Sequence, residues 1–96
     1  MLEDVVALAT TLVKGIVAYP NDVQVRIEHE QDENGEIAIL YYKVHQDDVG
    51  LILGAEGETS RSLRRVISLY GFRQTQKRVY LHIVTPRMRD QYARFK

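Results

Sequence analysis

No cysteine occurs among the 96 residues. Its absence excludes a disulfide scaffold and a thiolate metal site, and suits a reducing compartment. There is no long hydrophobic run either. Residues 1–18 are apolar only in stripes and carry Glu3, Asp4 and Lys14, so they read as neither a signal peptide nor a membrane span. A cytoplasmic location is the expectation. No internal repeat, low-complexity tract or linker breaks the chain, which leaves a single unit. With 45% hydrophobic and 27% charged residues, it has the balance of an ordinary soluble globular domain. A chain of this length buries roughly 60–70% of its unfolded surface without staples.

An excess of one charge is also missing, since the formal net charge is zero. That balance conceals an asymmetry. Residues 1–50 hold ten acids against Lys14, Arg26 and Lys43, a net −7. Residues 51–96 hold ten bases against Glu56, Glu58 and Asp90, a net +7. The split suggests a basic face for a polyanion, or one half of a complementary protein interface; two solvated faces would also produce it.

Periodicity sets the order of elements. Val5, Val6, Ala9, Leu12, Val13, Ile16 and Val17 recur at helical spacing, which predicts an amphipathic helix over 3–18. Tyr19-Pro20 ends it, because the residue before a proline avoids helical geometry. Val23, Val25 and Ile27 alternate with polar residues as in a half-buried strand. Asn34-Gly35 marks the centre of a hairpin turn, and a strand returns from Ile37 to Val44 with Ile37, Ile39 and Tyr41 on one face. Adjacent Tyr41 and Tyr42 must then face opposite sides. Asp47 or Asp48 is placed to cap a short helix through Val49, Ile52 and Leu53. A further helix is expected from Glu58 to Tyr70, burying Leu63, Val66, Ile67 and Tyr70 and stopped by Gly71. Val79, Leu81 and Ile83 mark a third strand, with Tyr80 and His82 on the opposite face. This order implies a two-layer α+β domain, α-β-β-α-α-β, with a three-stranded sheet and the helices on one face. The domain is expected over 1–84, followed by a basic extension, 85–96. There, Thr85-Pro86 reads as a cap and first helical residue, and Met88, Tyr92 and Phe95 fall on one face of a short helix.

Between the two helices of the second half lies Gly54-Ala55-Glu56-Gly57. A Gly-x-x-Gly turn lets bare backbone approach another backbone and exposes the amides of a helix start, which suit a phosphate. The pattern alone is weak. In this position it gains weight together with Tyr19-Pro20-Asn21-Asp22-Val23, Asp48-Val49-Gly50-Leu51-Ile52-Leu53, Ser62-Leu63-Arg64-Arg65-Val66-Ile67 and Lys77-Arg78-Val79-Tyr80-Leu81. As a set these resemble a type II KH domain, and more narrowly the small stand-alone bacterial KH proteins called KhpA. The resemblance covers residues 3–84.

It implies binding of single-stranded RNA, with about four nucleotides clamped by the Gly turn against a groove. By that likeness the groove is floored by the apolar side of the two short helices and edged by the second strand. Val49, Ile52 and Leu53 would meet bases, the amides around Ala55, Glu56 and Gly57 a phosphate, and Arg61, Arg64 or Arg65 would add charge. Pairing with a second copy or with a larger KH-containing protein is implied as well. The chain departs from the family where Ala55, Glu56 and Glu58 stand, since those loops usually carry polar or cationic residues. Two carboxylates beside the turn oppose phosphate and predict weak, strongly salt-sensitive binding.

No other chemistry assembles. His29, His45 and His82 are far apart and lack neighbours at metal-ligand spacing. The turn lacks the Lys-Ser or Lys-Thr of a P-loop, and Ser60, Ser62 and Ser68 have no nucleophile-elbow context. The expectation is a non-enzyme without cofactor or metal: an RNA chaperone or adaptor, with a KH-derived protein-interaction module as the alternative.

Overall fold

The computed structural model describes residues 1–95; Lys96, the end of the expected extension, lies outside the described residues. Helix α1 spans Leu2–Ile16 and buries Val5, Ala9 and Val13, one turn apart on one face. Glu3 and Asp4 in its first turn and Lys14 in its last complement the helix dipole. It stops short of residue 18. Val17 is already extended, and Pro20 opens a single 3₁₀ turn, Pro20–Asp22.

Strands β1 (Gln24–Asp32) and β2 (Gly35–Lys43) pair antiparallel. Asp32 Oδ1 accepts the Asn34 amide at 2.8 Å, so the tight turn falls at Glu33–Asn34 and Gly35 already opens β2. The expected centre at Asn34-Gly35 thus moves back by one residue. After another 3₁₀ turn, Gln46–Asp48, come helix α2 (Val49–Leu53), the Gly turn, helix α3 (Glu58–Thr75) and strand β3 (Arg78–Ile83). β3 lies parallel to β2, giving the order β1-β2-β3. A parallel neighbour needs a long crossover, and α2 with α3 supply it. α4, Arg89–Ala93, follows. Among the described residues no helix is long and apolar enough to cross a membrane.

The sheet's two faces differ. Ala38, Leu40, Tyr42, Val79 and Leu81 are buried beneath α1 and α3 with Ile52, Leu63 and Ile67. Complete burial pushes the Tyr42 hydroxyl up to about 12. Tyr80 and His82 stand on the other face, as the alternation predicts, and Tyr41 rather than Tyr42 joins them there.

Helix α3 corrects two expectations. It runs through Gly71 to Thr75, and Gln76 ends it in the left-handed conformation (φ 61°), its amide donating to the Phe72 carbonyl at 2.8 Å. Gly71 serves close packing instead: a Cβ there would lie 2.7 Å from the Val79 side chain. Val66 is 49% exposed rather than in the core.

The extension also differs from expectation. Thr85 to Met88 form a turn closed by Met88 N–H donating to the Thr85 carbonyl at 2.9 Å, with Pro86 and Arg87 at its tip. The helix begins only at Arg89, and it packs on the sheet face that α1 and α3 leave open.

Candidate nucleic-acid interface

The backbone of the Gly turn makes the loop. Gly54 sits at φ 77°, ψ 173° and Gly57 at φ 74°, ψ 16°. Side chains with a Cβ rarely adopt such angles. A Cβ on Gly54 would also lie 2.8 Å from the Thr59 amide nitrogen and clash with its side chain. Gly57 N–H donates to the Gly54 carbonyl at 3.1 Å, closing one 3₁₀ turn before α3 starts. Glu56, between them, is left-handed at φ 55° despite its side chain. A non-glycine residue held there costs roughly 1–2 kcal/mol, so the turn is imposed by its surroundings. No side chain caps the start of α3. Glu58 in its first turn places a carboxylate near that positive end.

The three arginines on α3 take separate directions. Arg61 folds back, its Nη1 donating to the Glu56 carbonyl at 2.6 Å, so it braces the turn. Arg64 is exposed; burial first, and then the Arg64 charge, hold the His82 imidazole below its usual range. Arg65 is exposed. Among the described residues neither Arg64 nor Arg65 forms an ion pair.

Two grooves flank the turn. The one on the α1 side, about 590 Å³, is lined by Leu12, Ile16, Ala55, Thr59, Leu63 and Val66 among others. The one on the α2 side, about 470 Å³, has Val49 and Leu53 on one wall and Thr85, Pro86 and Arg87 on the other. Leu53 and Val49, which the resemblance expects to meet bases, line this groove. Ile52 does not: it is 0% exposed and braces the floor from within the core. The edge also differs. β2 is the central strand, bonded on both sides, so the segment leaving β3 forms the second wall.

A buried carboxylate holds α2 in place. Asp48 is 2% exposed. It makes no side-chain cap on α2. Instead Oδ1 accepts the Ala18 amide and Oδ2 the Tyr19 amide, each at 3.0 Å. Tyr19 stacks on His45 with ring centroids 3.9 Å apart, and His45 Nδ1 accepts the Asp47 amide at 3.0 Å. The end of α1 is thereby tied to the start of α2. An aspartate before a helix start carries the sequence signal of a cap; nothing local points to amides thirty residues upstream.

The charge asymmetry partly cancels within the chain. Arg78 pairs with Asp32, Lys77 with Glu36 and Arg94 with Glu28. Each joins the basic half to the acidic half. Among the described residues the arginines left without an ion pair include Arg64 and Arg65 on α3, Arg87 on the turn after β3 and Arg89 at the start of α4. The histidines remain dispersed, and no group of three His, Cys, Asp or Glu among the described residues could hold a metal ion.

Comparison with known proteins agrees with this geometry. Residues 6–83 match the family described as "KhpA/KhpB, KH domain". The RNA-binding protein KhpA of Streptomyces coelicolor is 42% identical over 62 residues, 65% of this chain and 73% of that protein. The protein of the same name from Halalkalibacterium halodurans is 32% identical over 77 residues, 80% of this chain and 95% of the other. That of Oceanobacillus iheyensis is 29% identical over 79 residues, covering 81% and 97%. Among solved structures, Aquifex aeolicus Era bound to GDP.AlF4- superposes with a TM-score of 0.59 at 17% identity, over 88% of this chain and 32% of that one. A structure of Era in complex with MgGDPNP and nucleotides 1506-1542 of 16S ribosomal RNA gives 0.58 at 18%, over 91% of this chain and 34% of that one. At such identity the superpositions speak to fold alone, and this chain spans about a third of each Era chain.

Proposed function

The chain belongs to the KhpA/KhpB KH-domain family, and from that premise we propose that it binds single-stranded RNA without catalysis, as a cytoplasmic RNA chaperone or adaptor. The observation that carries the reading is the Gly54–Gly57 turn, with two left-handed glycines and an uncapped helix start beside an apolar groove. Backbone amides at such a start favour a phosphate, and the walls of Val49 and Leu53 favour an unstacked base. Glu56 and Glu58 work against phosphate, so affinity is weak and strongly salt-dependent. The test is fluorescence anisotropy of a labelled mixed-sequence RNA across a salt series, with Ala55→Asp/Glu56→Asp alongside. Binding that falls with salt and collapses in the variant supports the reading; no binding at low salt overturns it for the isolated chain.

A second reading rests on α3. Val66, Leu69 and Phe72 form an outward stripe, with Leu69 69% exposed. An apolar stripe continuous with the α1–α3 groove suits self-association or pairing with another KH protein. Sedimentation of the wild type against Leu69→Glu checks it; a wild-type chain that stays monomeric at high concentration removes the homodimer.

A further inference from the structure

The extension beyond residue 83 falls outside the family match, yet it is built into the back of the sheet. Arg26 on β1 sits under two rings, 4.8 Å from the Tyr41 centroid and 5.4 Å from that of Phe95. Its guanidinium also donates to Glu28 and to Gln91. Glu28 in turn receives Arg94. Lys43 lies 4.1 Å from the Tyr92 ring centroid. Arg26 Nε is buried without a hydrogen-bond partner among the described residues, and the cation is held by its ring contacts and by the bonds its other guanidinium nitrogens donate. At the near end Val84 is buried, its amide donating to the Tyr42 carbonyl at 2.8 Å. The turn Thr85–Met88 is therefore anchored on both sides, and its tip presents Pro86 and Arg87 to the α2 groove.

We infer that this extension completes the nucleic-acid site, its docking on the open sheet face holding Arg87 at the groove rim opposite Val49 and Leu53 to take an RNA phosphate. The inference rests on the RNA-binding reading above. Charge complementarity names the occupant. The Gly turn carries Glu56 and Glu58, and Arg61, next to it, is spent on the Glu56 carbonyl. Arg87 is exposed, forms no ion pair among the described residues, and borders apolar walls suited to a base. A polyanion with flat apolar bases fits that combination; an acidic peptide lacks the bases.

The experiment uses the full chain and a labelled single-stranded RNA of about eight nucleotides, twice the length a KH groove clamps. Arg87→Ala is expected to weaken binding on the order of fivefold and to reduce the steepness of log K against log salt by about 0.7, one phosphate contact on a single strand. Arg87→Lys retains the slope. Tyr92→Ala/Phe95→Ala alters no residue that lines the groove and yet weakens binding to a similar extent, because the turn loses its anchor. Wild-type affinity and slope in Arg87→Ala, or wild-type affinity in the double variant, overturns the inference. If the wild type binds and Ala55→Asp/Glu56→Asp does not, while Arg87→Ala is unaffected, only the role of the extension falls. If the wild type does not bind at all, the RNA reading falls and takes this inference with it.

Discussion

At the hairpin end of the sheet, Arg78 meets Asp32 and Lys77 meets Glu36, so cations from the second half of the chain are consumed by acids from the first. At the other end, where α2, the Gly turn and the exit of β3 converge, Arg64 and Arg87 have no carboxylate partner among the described residues while Glu56 and Glu58 stand exposed. Equal numbers of charges produce a neutral, self-satisfied rim in one place and an unsettled one in the other. Exposed ion pairs contribute little to stability, so the hairpin end marks orientation more than strength. Unpaired charge around an apolar groove is instead available to a partner, and its sign can be tuned by single residues.

The largest effect should come from loosening the frame that sets the two ends apart. Asp48→Ala leaves the Ala18 and Tyr19 amides without their acceptor and frees α2 from α1; about 3 kcal/mol of stability should be lost, read by urea denaturation. Asp48→Asn, which keeps one acceptor oxygen, should lose less. A smaller effect sharpens the loop end. Glu56→Lys/Glu58→Lys should tighten RNA binding roughly tenfold and steepen its salt dependence, measured by anisotropy; unchanged affinity would show that the turn does not meet phosphate. The smallest effect belongs to the hairpin end. The Arg78 guanidinium, and then the Asn34 amide, hold the Asp32 carboxyl below its usual range. Since the folded value is the lower one, this group favours folding above its ordinary pKa, and the contribution disappears as pH falls through the folded value. Thermal melts at neutral and acid pH should show a slightly smaller acid loss in Asp32→Asn than in the wild type, with RNA affinity untouched.

Much of the architecture could be read from periodicity. The alternation in β2 put Tyr41 and Tyr42 on opposite faces without choosing which is inward, and helical spacing placed Val5, Ala9 and Val13 on one apolar stripe, because a side chain's direction follows directly from the local backbone period. The Gly54–Gly57 turn was legible because its pattern is local; the positive φ at both glycines came with the structure. Gly71 was misread because a glycine needed for close helix–strand packing looks the same in sequence as one that ends a helix. Ile52 was misplaced because an apolar residue on a five-residue helix can point either into the core or along a groove, and the spacing does not choose.

The sequence by itself determined the element order, the two-sided alternation of the strands and the turn between α2 and α3, all consequences of short-range sterics and hydrophobic period. Only the tertiary structure decided that Asp48 reaches back to the end of α1, that the extension lies across the open sheet face, and that Arg87 rather than Arg61 borders the groove unpaired. Those depend on which distant groups meet once the core has formed: a carboxylate or guanidinium satisfies whichever partner the packing brings within reach, and that distance is not written along the chain.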